Sequence, residues 1–184
     1  MTPAAGLADE NKETTPDSGD SGGSPATALS AARLAAVQAL YQIALADGSA
    51  KEVVEEFIRH RLDVGGEEPG AGADRGLFEV LVEGVAGRGE ELDSMIAANL
   101  ADDWSMERIQ PILLALLRAG TFELLAREEV PPRVVITEYV DIAHAFFEER
   151  EPAFVNAVLD RLAHSLREDG WESTGPQDPE TPKL

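Results

Sequence analysis

Residues 106–127 read MERIQPILLALLRAGTFELLAR, and the placement of apolar residues in this stretch decides the class of fold. Ile112, Leu113, Leu116, Leu117 and Leu124 fall on more than one face of a 3.6-residue helix. That is the pattern of a central helix covered on most sides, not of one laid on a surface. Pro111 lacks a backbone donor, so it either starts this helix or interrupts a short first turn capped by Ser105. A helix apolar on several faces needs neighbours of matching apolarity. The rest of the chain supplies them as helices, because no segment alternates with period two for long enough to demand a strand.

Downstream, EVPPR breaks the chain and offers a proline start, after which Val134, Ile136, Val140, Ala143 and Phe147 run down a fifth helix. Glu151-Pro152 restarts the chain, and Phe154, Val158, Leu162 and Leu166 form the stripe of a sixth, with Val155 and Leu159 beside it. Upstream, the stripe Phe78, Leu81, Val85, Leu92, Ile96, Leu100 continues from Asp74 across Gly84, Gly87 and Gly89. This predicts one long helix bent at its glycines. Before it, VGGEEPGAGA reads as a flexible loop. The second helix buries Val54, Phe57, Ile58 and Leu62 and leaves Lys51, Glu55, Glu56 and Arg59 in water. The first carries Leu34, Val37, Tyr41 and Ala44 on one stripe and ends at Asp47-Gly48, where Gly48 supplies a left-handed cap.

Residues 1–27 and 169–184 are rich in Pro, Gly, Ser and acidic groups and read as disordered tails flanking one body, 28–168, with Trp171 lying loosely on it. The 184 residues are 43% hydrophobic and 27% charged, enough for one core or two small ones. There is no cysteine, hence no disulfide framework and no thiolate metal site, which suits a reducing cytoplasm. The N-terminus is acidic and polar, unlike a signal peptide, and no run of about 18 uninterrupted apolar residues marks a membrane span. A net charge of −20 and a pI near 4.3 oppose nucleic-acid binding, which draws on Lys and Arg to displace counterions.

Signatures of catalysis are missing: no H-E-x-x-H, no GxxxxGK, no GxSxG, and no GxGxxG after a strand. His60, His144 and His164 are scattered, so no metal site is expected, and Glu55-Glu56, Glu90-Glu91 and Glu148-Glu149 are sequence neighbours that a helix turns about 100° apart. Neither an enzyme nor a cofactor is indicated.

Three stretches in this order, AARLAAVQALYQ, LLRAGTFELLAREEVPPRVVITEYVDIAHAFF and FVNAVLD, resemble the bacterial transcription antitermination factor NusB family. The similarity runs from about Leu29 to Leu166. It implies an all-α fold, a compact helical domain of two packed helical bundles with six or seven helices. It further implies a non-enzymatic role: pairing with ribosomal protein S10, binding boxA-type single-stranded RNA, and acting with other antitermination factors on RNA polymerase during ribosomal RNA synthesis. A related helical domain precedes the catalytic domain of some ribosomal RNA methyltransferases, for which the segment after Leu166 leaves no room.

Carried over residue by residue, the resemblance assigns Arg33, Gln38, Arg118 and Phe154 to RNA and Tyr41 to S10. Each has a plainer reading: Arg33 and Gln38 as solvated polar groups, Tyr41 and Phe154 as core aromatics. Asn156 and Asp160, at i and i+4, are expected to share a local hydrogen bond. The family's arginine-rich opening is here Leu29, Ser30, Ala31 and Ala32, with Arg33 retained, and Arg118, Arg127 and Arg133 are the cations left to rebuild a basic patch. Thr137 and Ala157 stand where the family often has Asn and Gly. The depleted arginines leave a second reading, an RNA-independent helical adaptor or partner-sequestering homodimer.

Overall fold

The structure is a computed structural model and describes residues 24–46, 49–62, 72–101, 104–148 and 150–166. Asp47, Gly48, most of the VGGEEPGAGA loop, Trp171 and nearly all of both predicted tails lie outside them. Among the described residues there are seven α-helices and no strand: α1 Pro25–Leu45, α2 Ala50–Phe57, α3 Arg75–Gly87, α4 Gly89–Ala98, α5 Pro111–Ala126, α6 Pro132–Phe146 and α7 Arg150–Leu166. Two short pieces join them, a π-helical turn at Ile58–Leu62 and a 3₁₀ turn at Met106–Arg108.

Local chemistry sets most helix starts. The Ser24 hydroxyl accepts from the Thr27 N–H at 3.4 Å and Pro25 opens α1, so this helix begins inside the stretch predicted as tail. Ser49 and Glu52 form a reciprocal capping box on α2, and the Asp74 carboxylate caps α3 through the Leu77 N–H at 2.7 Å. Pro111 and Pro132 open α5 and α6. Pro111 therefore starts the central helix, and Ser105 makes no side-chain cap to the 3₁₀ turn that precedes it.

The predicted long helix from Asp74 is two helices. Arg88, with φ −124° and ψ 19°, ends α3 and precedes α4, and its guanidinium pairs with Glu91 at 2.7 Å. The flanking Gly87 and Gly89 are the ordinary residues that favour a helix least, so the break costs little there, and it keeps Phe78, Leu81, Val85, Leu92 and Ile96 all buried.

α5 touches α1, α3, α4, α6 and α7, while α1, α2 and α3 pack on one another and α6 on α7. Two bundles thus share α5 as their common member. α1 approaches closely because Ala32, Ala35, Ala36 and Ala39 form its buried face. It is long and apolar enough by composition to cross a membrane, with mean hydropathy 1.3 over 18 residues. Its packing on α3 and α5 shows a core helix. The predicted stripe here is partly displaced: Val37 is buried, but Leu34 and Tyr41 are half-buried and Ala44 is exposed. On α6 the buried residues are Val135, Ile136, Tyr139, Ile142 and Ala143, leaving Val134 exposed and Val140 and Phe147 half-buried.

Candidate functional site

The resemblance implies that Arg33 meets RNA, but the structure places its guanidinium in the core. The residue is 3% exposed. Nε and Nη2 donate to the two carboxylate oxygens of Glu123 on α5 at 2.9 and 2.6 Å, and Nη1 lies 3.2 Å from Glu138 on α6. Glu123 also accepts from the Tyr139 hydroxyl at 3.0 Å and from Arg127 at 3.4 Å. Each Glu123 oxygen therefore accepts twice, so the fully buried carboxylate has its hydrogen-bonding capacity met inside the fold. Burial pulls the Arg33 pKa down, yet the hydrogen bond and charge of Glu123, with Glu138, raise it above its ordinary value. Burial first, then the Glu123 charge, push the Tyr139 phenol well above its ordinary range.

This network joins α1, α5 and α6, and it takes up two of the four arginines from which a basic patch was expected. Arg33 converges on Glu123 from inside the fold, and the half-buried Arg127 reaches it from the rim, where it also pairs with exposed Glu129. Arg118, on another face of α5, forms a two-pronged pair with Asp93 of α4 at 2.7 and 2.6 Å, at the edge of a depression of about 290 Å³ between α1, α3, α4 and α5. Arg133 is exposed at the start of α6. The four arginines do not form one patch.

Gln38 and Tyr41 lie together at the surface. They line a depression of about 420 Å³ with Gln42, Leu45, Phe57 and Arg61. Leu45 is 62% exposed, and Arg61 lies over the Phe57 ring, 4.8 Å from its centroid, while donating to the Gln38 side-chain oxygen at 3.4 Å. The floor is apolar and one rim is cationic. That combination accepts a protein side chain more readily than a phosphate chain. The π-helical turn is what aims Arg61 here, a feature that helical periodicity in α2 could not signal.

Phe154 sits far from this depression, at the start of α7. It is half-buried and stacks on Trp104. Asp160 meets His164, at 3.6 Å, and Asn156 is exposed. The residues assigned to RNA are thus not brought together: Arg33 is internal, Gln38 belongs with Tyr41, Arg118 is paired to Asp93, and Phe154 has an aromatic partner. Trp104, Arg61 and Glu123 were missed, although an aromatic between two helices and a lone glutamate inside an apolar helix were visible signals.

Known proteins share both the sequence and this architecture. Residues 30–164 match the model of the NusB family. Proteins named transcription antitermination protein NusB are 51% identical over 139 residues in Allorhizobium ampelinum, covering 74% of this chain and 86% of that protein. The Maricaulis maris protein of the same name is 49% identical over 140 residues, 76% and 88% of the two chains. Among solved structures, Thermotoga maritima NusB (T. maritima) superposes with a TM-score of 0.61 at 29% identity, over 73% of this chain and 89% of its own. A structure of NusB and NusE with double-stranded RNA shares the fold at TM-score 0.62 and 24% identity, over 74% and 96%. By a family match across nearly all of its described helices and by half-identical relatives, this chain belongs to the NusB family.

Proposed function

We propose that the protein is a cytoplasmic transcription antitermination factor that pairs with ribosomal protein S10 through the Tyr41 surface and, as a pair, binds boxA-type nascent RNA. The relatives that support this carry a transcription-factor name and not an enzyme's. The observation that carries the reading is the depression at Tyr41, where exposed Leu45, the Phe57 ring and the Arg61 guanidinium make an apolar floor with a cationic rim at one end of α1. Burying an aromatic and an aliphatic anchor with a rim charge around them is the usual composition of a protein interface. Through S10 the protein joins other antitermination factors on RNA polymerase.

Burial of Arg33 favours the second reading in one respect. The single arginine kept from the family's opening motif offers no cation to solvent, so the start of α1 lacks electrostatic attraction for RNA. A helical adaptor or homodimer that binds protein alone fits that surface. Titration of labelled boxA-type RNA with the chain alone and with equimolar S10 separates the two. Affinity that appears or rises with S10 supports antitermination; S10 binding without RNA binding supports the adaptor.

A further inference from the structure

Arg61 meets no carboxylate among the described residues, although the chain holds 35 Asp and Glu against 15 Lys and Arg. Arg33, Arg75, Arg88, Arg118 and Arg127 each pair with one. The sequence denies Arg61 such a pair locally: Phe57 and Ile58 stand four and three residues before it, Val64 and Gly65 three and four after. Glu56, on the last turn of α2, accepts instead from Gln42 of α1 at 3.3 Å. Among the described residues the Arg61 guanidinium is placed by neutral groups, the Phe57 ring with its centroid 4.8 Å away and the Gln38 side-chain oxygen at 3.4 Å. Phe57 is itself buried and stacked on Phe78, with centroids 5.8 Å apart, so the ring beneath the charge is fixed. The guanidinium is thus exposed on a rigid support with N–H donors to spare, and its planar fork matches a carboxylate.

The other residues lining the depression are uncharged: Gln38, Tyr41, Gln42, Leu45, Ala46 and Phe57. Its one charge is therefore opposite in sign to the chain as a whole, at −20. We infer that Arg61 is the specificity-determining contact of the partner surface, a fork that receives a carboxylate carried by S10 beside an apolar side chain seated against Tyr41 and Leu45. This rests on the S10 reading above and adds to it Arg61 and the chemistry of the group it takes. The long-range field of an acidic chain draws a basic partner in without fixing its orientation. Arg61 selects among the orientations. A lysine or arginine of the partner placed over it is repelled, whereas a carboxylate in the same place forms two charge-assisted hydrogen bonds on a support that needs no reordering. The absence of an acid from this rim is what keeps the fork open, since a neighbouring carboxylate would occupy it as Asp93 occupies Arg118.

The test titrates the full chain with S10 by calorimetry at low and high salt, with thermal melting of each variant as the control for folding. Arg61 is exposed, so its variants are expected to melt with the parent chain. Arg61→Gln is expected to weaken S10 binding about tenfold at low salt, the scale for loss of one charge-assisted pair, and by less at high salt, where the pair is screened. Arg61→Lys is expected to recover part of the loss, because an ammonium keeps the charge but not the fork. Arg61→Glu is expected to weaken binding further. Exchanging the acidic residues of S10 for lysine one at a time is then expected to yield a single variant that restores binding to Arg61→Glu and weakens binding to the parent chain. That reciprocal rescue reads a direct contact, which a structural role for Arg61 would not produce, and it decides even if Arg61→Glu melts lower. Parent-like affinity in Arg61→Glu while Tyr41→Ala weakens binding overturns the carboxylate contact and leaves the partner surface standing; so does a loss in Arg61→Glu that no exchange in S10 restores. Parent-like affinity in both Tyr41→Ala and Arg61→Glu, or no binding of S10 by the chain, removes the partner surface and Arg61 with it.

Discussion

Arg33 of α1 and Glu123 of α5 are 90 residues apart in sequence and meet through two hydrogen bonds, of 2.9 and 2.6 Å, at side chains 4% and 0% exposed. Removing one partner strands the other charge in the core. Arg33→Met and Glu123→Gln are each expected to destabilise the fold by about 3–5 kcal/mol. The Gln side chain also turns an acceptor into a donor facing Arg33 or Tyr139. The triple variant Arg33→Met, Glu123→Leu, Tyr139→Phe removes charge and orphaned hydroxyl together and is expected to be more stable than either single variant. Urea unfolding followed by circular dichroism measures all three; a triple variant weaker than both singles would show that the network stabilises the fold beyond the cost of burying it.

Tyr139 gives the same network an alkaline limit. Its folded ionisation lies well above the unfolded value of about 10, through burial and then the Glu123 charge. A raised folded pKa means that the hydroxyl's contribution is complete below the unfolded pKa and is lost as pH rises beyond it, since only the unfolded chain then releases the proton. Stability is therefore expected to fall above about pH 10, and Tyr139→Phe to fall less steeply there while costing about 1–2 kcal/mol at neutral pH from the lost donor to Glu123. Equal alkaline slopes for the two proteins would count against this.

The class of fold was readable because α5 is apolar on several faces and its start is marked by Pro111, both local properties. Failures came where the deciding contact is distant. Arg33 in a helix start looks solvated until Glu123, Glu138 and Tyr139 are brought around it. On α6 the run Val134-Val135-Ile136 allows two stripes, and the choice falls to Tyr139, whose hydroxyl has a partner only in the folded core. The break at Arg88 was half-visible in its flanking glycines. For the candidate site, the motifs propose Tyr41 and Phe154, while Arg61 and Trp104 owe their places to a π-helical turn and to a ring stack that spacing alone does not encode.

Gly84 of α3 lies directly against the Phe122 ring of α5. A Cβ there would stand 2.0 Å from the Phe122 ring, whose side chain is almost wholly buried. Gly84→Ala is expected to destabilise by about 1–3 kcal/mol through overpacking, in spite of Ala's better helix propensity. Pairing it with Phe122→Leu opens room and is expected to recover part of the loss, read as non-additivity in a double-mutant cycle. Strict additivity would mean that the ring is not what the methyl meets.

Tyr41 is the anchor of the partner surface in the proposed function, and it is only half-buried, so its truncation need not unfold the chain. Tyr41→Ala is expected to weaken S10 binding by more than tenfold, about 1.4 kcal/mol. Leu45→Ala, further along the same depression, is expected to weaken it less. Calorimetry against S10, with thermal melting as the control for folding, measures both. Unchanged affinity in folded Tyr41→Ala would move the interface elsewhere.

Salt dependence separates the roles of Arg33 and of S10 in RNA binding. The slope of log K against log salt is about −0.7 for each phosphate neutralised on a single strand. Free protein, with its motif arginine internal and a net charge of −20, is expected to bind boxA-type RNA weakly and with a shallow slope. The pair with S10 is expected to bind more tightly and with a steeper slope, because S10 brings cations and covers part of the acidic surface. Replacing Ser30 and Ala31, both half-buried on α1, by arginine adds charge where the family carries it, and is expected to steepen the slope of the free protein. The Arg33→Met, Glu123→Leu, Tyr139→Phe variant, if folded, is expected to leave the slope of the S10 pair unchanged, since the guanidinium it deletes already spends its charge on Glu123 and Glu138. A slope reduced by one phosphate's worth in that variant would place Arg33 on the RNA and require the α1–α5 ion pair to open when RNA binds.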